Sequence, residues 1–172
     1  EVANGEPGIV YFELPSMPFL YFKDADKTKD AQHPAHPNWS ALGDVGYVDD
    51  DGFLFLTDRA TFMIISGGVN IYPQEIEDVL IMHEKVADVA VIGVPNDEMG
   101  EEVKAVVQPA EGVPADDDFA EEILVYARAH IAHYKCPKSV DFMAELPRLP
   151  TGKLYKRLIK DAYWGKTGSK IV

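Results

Sequence analysis

After Phe62 the chain alternates short apolar runs with segments of helical period, and that order leaves few folds open. The run at 62–65 predicts a strand that leads into Ser66-Gly67-Gly68-Val69-Asn70. Pro73 then opens a helix at a first-turn position, where its missing N–H removes no bond. Ile76, Val79, Leu80 and His83 fall on one stripe of that helix, with Glu75, Glu77 and Asp78 outside. Residues 86–94 and 103–107 read as strands joined by an acidic loop at 96–102. Asp116, Asp117 and Asp118 cap a second helix that runs to about Ala132, with Ile123, Leu124, Ala127 and Ile131 on one face. A strand at 139–143 and a closing helix at 154–164 complete the order strand, helix, strand, strand, helix, strand, helix. This predicts an α+β domain, a small sheet with helices packed against it.

Residues 1–60 follow another pattern, rich in strand and short of helix, and are expected to belong to a separate β unit; the α+β domain is 61–172. A strand is expected at 8–12, and the polar, proline-bearing stretch 23–38 as a long surface loop. Asp49-Asp50-Asp51-Gly52 lies between two apolar runs, which is a hairpin signal. The three aspartates lack the alternating ligands and late glutamate of a calcium loop and read as a solvated turn.

The 172 residues can hold one domain, or one domain and a piece of another. Hydrophobic residues make up 47% and charged residues 26%, enough for a real core. Neither a membrane span nor a basic-then-apolar leader is visible. The single cysteine, Cys136, fits a reducing compartment, and the cytoplasm is expected. A net charge of −13 argues against a nucleic-acid partner. Residues 134–172 nevertheless hold 9 basic and 3 acidic side chains. This reads as a solvated basic helix, or as a local positive field for a phosphorylated small molecule.

Gly43-Asp44 is expected in a turn before the hairpin and Asp58-Arg59 just past it. A carboxylate and a guanidinium can hold the two hydroxyls of a ribose, or form a surface ion pair. Ser66-Gly67-Gly68 is too short for a phosphate loop, and neither the Walker pattern nor G-x-G-x-x-G occurs. Two adjacent glycines mark a tight turn or a place where something approaches the backbone closely. Lys153 follows Pro147, Pro150 and Gly152 on a loop from which a long cationic stem can project toward a phosphate or carboxylate, or simply into solvent. His130 and His133 are expected to share a helix face at i, i+3 spacing but want a third ligand, so no metal site is expected, and Cys136 reads as a structural thiol.

Taken in order, five stretches resemble the motifs of the adenylate-forming superfamily, which includes acyl-CoA synthetases, luciferase-like enzymes and peptide-synthetase adenylation domains. Leu42-Gly43-Asp44 is similar to its Thr-Gly-Asp motif and Thr57-Asp58-Arg59 to its Gly-Arg motif. The run from Ile64 through Ser66-Gly67-Gly68 to Pro73, with Glu75-Ile76-Glu77, resembles the signature that opens the mobile C-terminal domain. Tyr134-Lys135-Cys136-Pro137 resembles the Tyr-x-x-Pro stretch, and Leu146 to Leu154 the last motif, which carries the adenylation lysine. Three positions depart from the pattern: Leu42 stands for the threonine, Thr61 for the hinge Asp or Lys, and Phe62 for the Asp that often follows.

The resemblance implies the C-terminal part of an acid–thiol ligase of the fatty-acid–CoA ligase type, with 1–60 the β-rich end of a large N-terminal domain. It implies ribose binding by Asp44 and Arg59, adenylation by Lys153, a hinge at Thr61, and a coenzyme A path past Ser66, Gly67 and Gly68. ATP, Mg2+ and coenzyme A are the implied reactants, with the magnesium ligands outside this chain. The phosphate-gripping loop belongs upstream, so the chain, which starts at Glu1, is expected to be an excised fragment, inactive alone. Other readings are a stand-alone nucleotide- or partner-binding module, and part of a ligase that loads a carrier-protein thiol.

Overall fold

In a computed structural model, which describes residues 2–165, the chain divides into two units, Glu1–Thr61 and Phe62–Val172. The first unit holds an antiparallel sheet in the order β1 (Gly8–Glu13), β2 (Trp39–Val48), β3 (Leu54–Arg59). β2 and β3 form the expected hairpin. In its loop Asp49 Oδ1 accepts the N–H groups of Asp51 and Phe53 at 3.1 and 2.8 Å, and Tyr47 stacks on its cross-strand partner Phe55.

Two expectations for this unit need correction. Residues 23–38 are not loop throughout, because they contain a short helix, α1 (Ala25–Asp30). Asp24 caps it by accepting the Lys27 N–H at 2.9 Å, the kind of start a carboxylate favours. Gly43 and Asp44 are not in a turn before the hairpin but inside β2. Between the pairs Ile9–Val45 and Tyr11–Ala41, β2 places Leu42, Gly43 and Asp44 opposite Val10 alone. Gly43 reaches φ +85° to make this bulge, and the strand continues beyond it.

A 3-10 turn at Ala60–Phe62 precedes β4 (Ile64–Ser66), β5 (Val69–Ile71) and α2 (Pro73–Leu80). Then follow β6 (Val86–Asn96), β7 (Gly100–Pro109), α3 (Asp117–His130), β8 (Ser139–Phe142) and α4 (Lys156–Trp164). The sheet runs β5-β4-β7-β6, with β8 parallel to β7. β5 was not expected, since three residues show no period. The acidic segment at 96–102 is mostly strand: only Asp97, Glu98 and Met99 turn, held by Asn96 Oδ1, which accepts the N–H groups of Glu98 and Met99.

Alternation along β6 and β7 sorts the core into two layers. Val89, Val91, Val103, Ala105 and Val107 pack with Ile76 and Leu80 of α2 and Phe119, Ile123 and Ala127 of α3. Ala90, Ile92, Val94 and Val106 face the other way, onto Ile159 of α4 and onto Leu146 in the loop before it. The sheet is thus covered on both faces, and the unit is α+β as expected. Among the described residues no helix is long and apolar enough to cross a membrane.

Candidate functional site

The bulge in β2 sets Asp44 directly across from Arg59, and Arg59 Nη1 lies 3.1 Å from Asp44 Oδ1. The pair is wet, with side chains 47% and 26% exposed, so the guanidinium can turn to another acceptor at little cost. Thr61 follows two residues later, exposed in the 3-10 turn Ala60–Phe62.

Gly67 and Gly68 are the two-residue connection of the β4–β5 hairpin, which closes on the pair Ser66–Val69. Both take positive φ, +57° and +82°, as a type I′ turn requires, so their adjacency has a backbone cause. Gly67 N–H donates to the Met99 carbonyl at 2.9 Å, and a β-carbon on Gly67 would stand 3.0 Å from Met99 Sδ. Both glycines are exposed, with open space over Gly68.

Lys153 lies on a small, well-fastened loop. Arg148 and Leu154 bridge its two arms, and Gly152 N–H donates to Leu149 O at 2.8 Å around a turn with Pro150 at its second position. Thr151 keeps negative φ and Gly152 takes +83°, a type I turn followed by a left-handed glycine. Arg148 also reaches Gly152 O at 2.7 Å and pairs with Asp88. The Lys153 side chain itself is exposed and has no partner among the described residues. A loop held at every joint thus presents one unengaged ammonium.

Two sequence expectations fail here. Glu77 was placed on the outside of α2, yet it is 7% exposed and paired to Lys156 at 2.8 Å. His130 is the last residue of α3, so His133 lies beyond it and the two do not share a helix face. Cys136 is buried with Sγ near the Ile131 and Ala132 carbonyls, and burial pushes its thiol pKa up, as suits a structural thiol. No three His, Cys, Asp or Glu side chains gather as a metal cluster among the described residues.

Residues 75–153 match the model of the AMP-binding enzyme C-terminal domain. The match lies within the second unit. The chain is 37% identical over 170 residues to a long-chain-fatty-acid–CoA ligase of Salmonella typhimurium, covering 99% of this chain and 29% of the relative. To the corresponding ligase of Yersinia pestis it is 40% identical over 162 residues, 94% of this chain and 27% of the relative. ATP-bound MatB from Rhodopseudomonas palustris superposes with a TM-score of 0.80 at 30% identity, over 94% of this chain and 31% of that one. The Bacillus subtilis o-succinylbenzoate CoA synthetase, in complex with its acyl-adenylate OSB-AMP, gives 0.76 at 31% identity over 93% and 31%. The match begins at Glu75 and ends at Lys153, in the loop just described. The chain spans less than a third of the length of these relatives.

Proposed function

We propose that this chain is the C-terminal part of an ATP-dependent carboxylic acid–coenzyme A ligase whose large domain is encoded upstream, and that it is inactive alone. The relatives' names favour a long-chain fatty acid as the acid. What carries the reading is Lys153, an ammonium left unengaged on an otherwise fastened loop at the end of the matched domain.

In the first half-reaction a carboxylate oxygen attacks the α-phosphorus of ATP, the bond to the β-phosphate breaks, and pyrophosphate leaves. Negative charge crowds that transition state, and Lys153 Nζ lowers its energy by standing between the two reactants. Asp44 and Arg59 open their mutual pair to grip the ribose, one accepting and one donating. In the second half-reaction the coenzyme A sulfur attacks the acyl carbon, loses its proton, and AMP departs. The thiol arm passes the turn at Ser66, Gly67 and Gly68, where both glycines are exposed and open space stands over Gly68. A rotation at Thr61 exchanges the two arrangements.

The test is the full-length protein with palmitate, ATP and magnesium. Lys153→Ala is expected to slow pyrophosphate release about 10²–10³-fold, the usual loss for one charge-stabilising donor. Transfer from a supplied acyl-adenylate to coenzyme A should be nearly unchanged, because the lysine meets charge only in the first transition state. Equal losses in both halves would make Lys153 structural. Transfer only to a carrier-protein thiol would reassign the acceptor.

A further inference from the structure

We propose that Glu77 and Lys156 are a positioning pair that sets the start of α4 and thereby the loop presenting Lys153. This rests on the reading of Lys153 given above.

Lys156 is the first residue of α4, and its side chain is 8% exposed. Its Nζ stands 2.8 Å from Glu77 Oε1 and 3.0 Å from Oε2, with the Phe62 ring 5.2 Å away. Glu77 is pinned in turn, because Oε1 accepts the Val91 N–H at 2.6 Å. A cation at a helix N-terminus opposes the helix dipole. α4 has no acidic residue in its first turn and no side-chain cap from Tyr155. The negative charge that this helix start lacks locally is supplied by α2, which packs on the opposite face of the sheet. The pair therefore reaches round the edge of β6 and ties the two helical layers together.

Lys153 precedes Lys156 by three residues, and the intervening chain has little slack. Tyr155 N–H donates to Pro147 O at 2.7 Å, and Leu154 bridges to Arg148. One end of the loop is held by Arg148 on Asp88, the other by Lys156 on Glu77. Moving the second anchor moves the direction in which Lys153 leaves the loop. Stability alone does not account for the pair, since a buried ion pair gains little over apolar residues of the same size.

The test uses the full-length protein with Glu77→Gln and Lys156→Met. Both are expected to lower kcat of pyrophosphate release by about tenfold or more, as small misplacements of a catalytic group do. KM for ATP and transfer from a supplied acyl-adenylate should stay within about twofold. The double variant should be no slower than the slower single one, because both break one contact. Lys156→Arg should recover most of the rate. Folded variants with wild-type adenylation, or with equal losses in both half-reactions, would overturn the pairing. Lys153→Ala measured alongside separates the two ideas. If it does not slow adenylation, the reading of Lys153 fails; if it does while the pair variants do not, only the pairing fails. Should Lys156→Met not fold, Glu77→Asp takes its place, keeping both charges but shortening the reach. Slower adenylation with intact transfer would support the pairing, and unchanged rates would overturn it.

Discussion

At Gly67 the backbone and the proposed thiol path make separable demands. The residue sits at φ +57°, where an L side chain is strained, and Met99 Sδ occupies the place its β-carbon would face. Gly67→Ala carries the backbone strain, about 1–2 kcal/mol, and a tight contact with Met99 Sδ, both of which Leu shares. Gly67→Leu adds a side chain that extends over the exposed turn. We expect Leu to slow transfer to coenzyme A at least about tenfold beyond Ala, with pyrophosphate release the same in both, a loss confined to one transition state. Separate assays of the two half-reactions in the full-length protein check this. If Leu slowed only pyrophosphate release, the thiol path would have to be placed elsewhere.

Among the elements, β8 depends on a charged side chain of its own, Asp141. It is four residues long, at the edge of the sheet, and Asp141 ties it to Lys104 of β7 at 2.9 Å and to the Tyr163 hydroxyl of α4 at 2.6 Å. Burial pushes the Asp141 pKa up, but the hydrogen bonds from Tyr163 and Lys104 outweigh it and hold it below the usual value. A carboxyl depressed in the folded state stabilises it above the unfolded pKa of about 4, and that stability is lost as pH falls through the folded value. Asp141→Asn should therefore be less stable at pH 7 by about 1 kcal/mol or less, as suits a half-exposed group. The gap should narrow toward pH 3. Denaturant unfolding at both pH values checks it, and a gap independent of pH would mean that the carboxylate's charge is not involved. The same scale shows what the sequence could reveal. The helices at Pro73 and after Asp116, and the strands at 86–94 and 103–107, follow from period and caps. Glu77 does not, because its burial depends on the outer edge of β6. There Glu77 takes the Val91 N–H, Trp164 donates to the Gly93 carbonyl, and Asp88 takes the Val89 N–H. Edge-capping of that kind is a tertiary fact, invisible to a helical wheel. The one local clue was Lys156, a cation at a helix start with no acid nearby. The bulge at Gly43 was hidden likewise, since a glycine before an aspartate looks the same in a turn and in a bulged strand.

For the whole molecule the proposed reaction assigns Lys153 to one half and the 66–68 turn to the other, and exchanges the two by a rotation. Thr61 is where the exchange is proposed, the last residue of the first unit and the middle of a single 3-10 turn. It is exposed, so its replacement leaves no core cavity. Proline there fixes φ near −65° and removes an N–H, restricting rotation without changing any group proposed to touch a substrate. Thr61→Pro in the full-length protein is expected to keep one half-reaction within about threefold of wild type and to lose the other by about tenfold or more. The arrangement that the fixed φ favours decides which half survives. Overall acyl-CoA formation should fall with the impaired half, and supplying acyl-adenylate should rescue it only if adenylation is the half that was lost. Pyrophosphate release, transfer from supplied acyl-adenylate and a melting curve on the same preparation decide the matter. A protein that melts like the wild type and retains both half-reactions would remove Thr61 as the pivot. Proportional loss of both with a lowered melting temperature would make residue 61 a structural position.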